Sequence, residues 1–143
     1  MLSLIAELFA TIHLLAGYAA PTIAPEVHRV AQAEIEGRFC HSPCAIRAIY
    51  DPTLGVYLDE KLDVANNTFD RSILLHELVH HVQAVSGRFD IGSSNCVRRN
   101  AAEREAYALQ NRYLMEMNDG RRVSMNGWAA RCIDAEVPTP RKP

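Results

Sequence analysis

Apolar positions along the chain fall into stretches of different period. Leu4, Ile5, Leu8, Phe9, Ile12, Leu15 and Ala16 recur at three- and four-residue steps, which aligns them on one face of a helix. The stretch Met1 to Ala20 is therefore expected to be an amphipathic helix docked on the domain. The competing reading is a cleaved export signal, because Gly17-Tyr18-Ala19 has the small-x-small form that a signal peptidase accepts. Against it, no Lys or Arg precedes the apolar run, and Glu7 and His13 interrupt it. The same interruptions make the stretch too short for a membrane span.

Pro21 and Pro25 break the helical period and open a linker. Val27 to Val30 fits a short strand, and Ala31 to Gly37 is ambiguous. Ala45 to Tyr50 is rich in β-branched and aromatic residues and predicts a strand. Asp51-Pro52-Thr53-Leu54-Gly55 carries turn chemistry, and Val56 to Leu58 returns as a second strand. The two runs predict an antiparallel hairpin, followed by polar, irregular chain from Asp59 to Asn67.

Helical spacing resumes at Arg71 and runs to Ser86, with Leu74, Leu75, Leu78, Val82 and Val85 as the inward stripe. Thr68 or Asp70 is the expected N-cap, and Gly87 stands where a helix ends. After a Gly-, Ser- and Asn-containing loop to Asn95, a second long helix is expected from Val97 to Met117, closed by Asn118-Asp119-Gly120. Trp128 and Cys132 belong to a last short element, and Val137 to Pro143 reads as a disordered tail. The sum is an α+β fold, a short antiparallel sheet packed on two helices, in one domain spanning residues 1–136.

Composition narrows the function classes. The 143 residues are 48% hydrophobic and 22% charged, with a formal net charge of −2, ordinary for a globular domain. That balance argues against nucleic acid or an anionic membrane as partner. Arg98, Arg99, Arg104 and Arg112 are interleaved with Glu103, Glu105 and Glu116, which describes a solvated helix face rather than a phosphate track. Four cysteines, at 40, 44, 96 and 132, suit two disulfides, Cys40–Cys44 with Cys96–Cys132, and hence an oxidising compartment outside the cytoplasm. Free thiols and a metal half-site at Cys40 and Cys44 are the alternatives, and the compartment stays open.

The chemistry lies in His76-Glu77-Leu78-Val79-His80. Two histidines four apart on a helix share a face, about 5–6 Å apart at Cβ, so both imidazoles reach one metal ion at about 2.0–2.1 Å. The glutamate after the first histidine lies beside the open side of such a site, where it can take a proton from a water that zinc acidifies. A third protein ligand is required. The cysteines and His13, His28, His41 and His81 are possible donors, and a better one lies in Glu103-Arg104-Glu105-Ala106-Tyr107-Ala108-Leu109-Gln110.

Together, HELVHHVQ at 76–83 and EREAYALQ at 103–110 resemble the gluzincin class of zinc metallopeptidases, in particular its small, single-domain, minigluzincin-like bacterial members. The resemblance spans about Ala45 to Leu114 and implies a zincin-like fold. It implies a third ligand on the second long helix, Glu103, with Tyr107 where that class often carries the Asp or Asn of E-x-x-x-D or E-x-x-x-N. Glu105 is the alternative, and because the two glutamates point about 200° apart around the helix, only one can face the metal. The resemblance also implies that a strand beside the active-site helix, Val56 to Leu58 or Ala45 to Tyr50, binds an extended peptide by edge pairing.

The resulting expectation is a monomeric peptidase with one Zn2+ per chain, held by His76, His80 and Glu103, acting on a peptide or protein substrate. Glu77 is its general base, and Tyr107, His81 and Tyr113 are the oxyanion-stabilising candidates. Two rivals differ in class: a catalytically silent zinc-binding regulatory domain, and a metal-free interaction domain that uses its apolar amino-terminal helix.

Overall fold

The structure is a computed structural model that describes residues 1–89 and 96–125. Its described residues form four helices and one three-stranded sheet, in the order α1 (Leu2–Ala16), β1 (Val27–Val30), α2 (Gln32–Phe39), β2 (Ala48–Asp51), β3 (Gly55–Asp59), α3 (Thr68–Ser86) and α4 (Cys96–Glu116). The architecture is α+β. None of these helices is long and apolar enough to cross a membrane.

The sheet is mixed, not purely antiparallel. Its order is β1-β3-β2, with β2 antiparallel to β3 as a hairpin and β1 parallel to β3. Parallel neighbours need a long crossover, and α2 provides it from the stretch that the sequence left ambiguous. Central position explains the character of β3, where every residue is buried. Val56 and Leu58 join the main core, while Tyr57 stacks on His28 and meets the edge of Phe39. At Gly55 the backbone has φ 96°, and a Cβ there would run into the Glu26 carbonyl. Only glycine lets β1 and β3 approach so closely at that end.

With both of its edges paired, β3 cannot accept a peptide, so edge pairing at Val56 to Leu58 is ruled out. The outer strands are β1 and β2, and β2 is shorter than expected and packs beside α3.

The core joins Leu74, Leu75, Leu78, Val79 and Val82 of α3 to Ile5, Leu8, Phe9 and Ile12 of α1, and to Ala106, Leu109 and Tyr113 of α4. Val85, expected in the same stripe, is instead 61% exposed. It lies on the wall of a surface groove rather than under the sheet. The start of α3 also differs from expectation. Asn67 is the cap, its side-chain oxygen accepting the Asp70 N–H at 3.1 Å, so Thr68 is already helical. Gly87, at φ 71°, ends the helix.

Cys40 and Cys44 form a disulfide, and Cys96 is disulfide-bonded as well. Cys132, its expected partner, lies outside the described residues, as do the element around Trp128 and the tail.

Candidate metal centre

Helix α3 is the most deeply buried helix of the fold, and α4 is its main helical neighbour. On α3, His76 and His80 stand one turn apart and both are buried. From α4, Glu103 reaches across to them. Its two carboxylate oxygens lie 3.2 Å from His76 Nε2 and 2.7 Å from His80 Nε2, and the two Nε2 atoms are themselves 3.2 Å apart. Ligand atoms from all three residues fall within 4.8 Å of one another, and this is the group among the described residues that can hold a metal ion.

Hydrogen bonds behind the rings determine which imidazole nitrogen faces that point. Ser72 Oγ donates to the Phe69 carbonyl at 2.6 Å, so its single proton is committed. It must then accept from the Gln110 amide nitrogen at 3.0 Å. That turns Gln110 Oε1 toward His76 Nδ1, 3.0 Å away, and Nδ1 carries the proton. A second chain acts on His80. The Gln83 amide nitrogen donates to the Ala102 carbonyl at 2.9 Å and to Glu105 Oε1 at 3.2 Å. Its oxygen accepts from His80 Nδ1 at 2.8 Å. In the neutral rings both Nε2 lone pairs are therefore bare and converge with a carboxylate. Such a donor set calls for a cation.

Burial disfavours a charged His80, but hydrogen bonding to Glu103 and the charges of Glu77 and Glu103 outweigh it and push its pKa up to about 9. Burial likewise raises Glu103, yet the hydrogen bonds from the two histidines hold its carboxyl far below the usual range. Glu77, buried beside them, behaves oppositely. Burial pushes its pKa up, against the lowering effect of His76, His80 and the Tyr50 backbone N–H that bonds its carboxylate.

The profile of one protein family, a domain of unknown function designated DUF6647, matches residues 2–139. The chain belongs to that family. No curated protein and no solved structure matches it.

In this DUF6647 chain the three candidate ligands, His76, His80 and Glu103, stand together, and the alternatives are elsewhere. Glu105 is turned away from the histidines and is held by Tyr18, Gln83 and Arg88. His13 and His28 bond the carbonyls of Tyr18 and Leu54, and His41 is exposed. Tyr107 flanks the site, its ring 4.5 Å from that of His76, and burial together with the charges of Glu103 and Glu77 raises its pKa. The ring nitrogens of His76 and His80 that face away from the site are bonded by Gln110 and Gln83, not by Tyr107. Of the other oxyanion candidates, Tyr113 is in the hydrophobic core. Both ring nitrogens of His81 are engaged, with the Tyr50 hydroxyl at 3.1 Å and the Ile23 carbonyl at 3.3 Å.

Gln83 and Gln110 were the residues that sequence reasoning left without a role. A signal existed, because each stands seven residues, about two helical turns, after a candidate ligand (His76 and Glu103) and so returns to the same face.

Proposed function

We propose that this protein is a zinc-dependent metallohydrolase that cleaves peptide bonds. The observation that carries the reading is the convergence of two bare imidazole nitrogens and the Glu103 carboxylate beside the buried carboxyl of Glu77. Two histidines and a glutamate match the three-ligand set of hydrolytic zinc sites, which leave a position open. Glu103 keeps 32% of its side chain exposed while the histidines keep 8%, so the site is walled by protein on one side and reachable from solvent on the other. When bound there, zinc supplies Lewis acidity, lowering the pKa of water toward neutrality and polarising a carbonyl.

The remaining chemistry belongs to the side chains. Glu77, with its carboxyl pKa raised by burial, takes a proton from the attacking water and returns it to the leaving amine. The Tyr50 N–H keeps that carboxylate aimed, and is therefore not available to a peptide laid along β2. Tyr107, close enough to feel both Glu77 and Glu103, donates its hydroxyl proton toward the charge that develops on the carbonyl oxygen. A groove of about 560 Å³, bounded by Pro21, Ile23, Tyr50, Leu54, His81 and Val85, offers apolar surface for substrate chain. It is lined by none of His76, Glu77, His80 and Glu103, and Tyr50, whose backbone N–H bonds Glu77, stands between it and them. The Cys40–Cys44 disulfide fits an extracytoplasmic setting.

Glu77→Gln tests the reading. The variant is expected to fold and keep one zinc per chain while hydrolysis of a mixed peptide library falls by about a hundredfold to ten-thousandfold, the usual worth of a general base. A parent protein that holds zinc but is as inert as the variant across substrates and pH would leave a metal-binding domain without catalysis.

A further inference from the structure

Glu105 stands two residues beyond Glu103 and makes no contact with the metal-binding histidines, yet three partners from three parts of the chain meet on its carboxylate. The Tyr18 hydroxyl donates to Oε1. The Gln83 amide donates to the same oxygen at 3.2 Å. Arg88 pairs with Oε2 at 3.1 Å. Tyr18 is itself held in place. It follows Gly17, which turns the chain out of α1 at φ 78°, and its carbonyl lies 2.8 Å from His13 Nδ1. Tyr18 as a whole is 8% exposed.

From these contacts we propose that Tyr18 and Glu105 are positioning residues of the metal centre, fixing His80 through Gln83. The path is continuous: Tyr18 hydroxyl to Glu105, Glu105 to the Gln83 amide nitrogen, Gln83 oxygen to His80 Nδ1–H. Each link limits the next. A Gln83 amide that donates to Glu105 and to the Ala102 carbonyl has only its oxygen to offer His80. That keeps the His80 proton on Nδ1 and Nε2 bare. Partners of this kind behind a ligand histidine set ring orientation and basicity. The inference rests on the metal-site reading and adds to it that the segment after α1 is a working part of the site, not packing alone. By reciprocity, zinc must favour the docked state of that segment by the same factor that docking favours zinc.

The test is zinc affinity by competition with a chromophoric chelator, combined with NMR of the His80 Nδ1–H in the zinc-loaded full-length protein. Tyr18→Phe is expected to weaken zinc binding by about tenfold, the lower end for loss of an outer partner, and to speed exchange of the His80 Nδ1 proton with water. Ile12→Val trims the packing of α1 without touching the path and should lower the melting temperature while leaving zinc affinity unchanged. In a double-mutant cycle, Tyr18→Phe added to Gln83→Met should weaken binding no further than Gln83→Met alone. Wild-type affinity and an unchanged His80 proton in Tyr18→Phe would overturn the proposal, as would simple additivity in the cycle. Absence of zinc binding by the wild-type protein would instead remove the metal-site reading, and this inference with it.

Discussion

Two imidazoles that share a cation must each present a bare nitrogen, and the side chains behind the rings decide which nitrogen that is. Here the decision is made by Ser72, Gln110 and Gln83, each with its donors and acceptors committed elsewhere. Gln110→Leu should therefore lower zinc affinity by about tenfold or more although Gln110 touches no metal, and chelator competition reads the change. Unchanged affinity would mean that His76 finds its tautomer without help. At this scale the sequence was legible where a single spacing carries the chemistry. His76, Glu77 and His80 follow from one helical turn. The choice between Glu103 and Glu105 was reachable only through resemblance, because the two stand on different sides of one charged helical stretch and no local pattern tells which side faces α3. What separates them is tertiary: Glu105 meets Tyr18 and Arg88, residues 87 and 17 positions away in the chain, which no local pattern announces.

Among the elements, α3 matters most, since residues 74–82 contribute both core side chains and two of the three residues that could hold a metal ion. Leu78, one position beyond Glu77 and fully buried, anchors the helix to the core. Leu78→Ala should destabilise the protein by about 2–5 kcal/mol, read by denaturant unfolding. Asn67→Ala removes the cap from Asp70 N–H and should cost about 1 kcal/mol. A loss within error would show that Thr68 or solvent replaces the cap. Long amphipathic segments were readable, as α1, α3 and α4 illustrate. The crossover helix α2 was not, because it buries one residue fully, Ile35, and so shows no stripe. Missing it concealed the parallel pairing of β1 with β3. The inward assignment of Val85 failed for a related reason: the helical period continues one turn beyond the core that it packs against.

For the whole molecule, the charge cluster between α3 and α4 links stability to pH. The folded pKa of His80 stands above its ordinary value of 6.5, at about 9, so its contribution is complete below about pH 6.5 and drains as pH rises toward 9. The folded pKa of Glu103 is depressed, so its contribution is present above the ordinary carboxylate pKa and drains as pH falls. Chelator-treated protein should accordingly melt highest at mildly acidic pH and lose stability toward pH 9. Zinc should reverse the alkaline loss, because it takes the neutral imidazole that high pH supplies. A melting temperature that is flat across that range would argue against an ion pair at the site.

The most direct measurement is X-ray absorption at the zinc edge on purified, zinc-loaded protein. Two imidazole nitrogens and carboxylate oxygen at about 2.0–2.2 Å, with no sulfur, is the predicted shell. Sulfur scatterers near 2.3 Å, or zinc that washes away as readily from the wild type as from a His76→Ala, His80→Ala double variant, would contradict it.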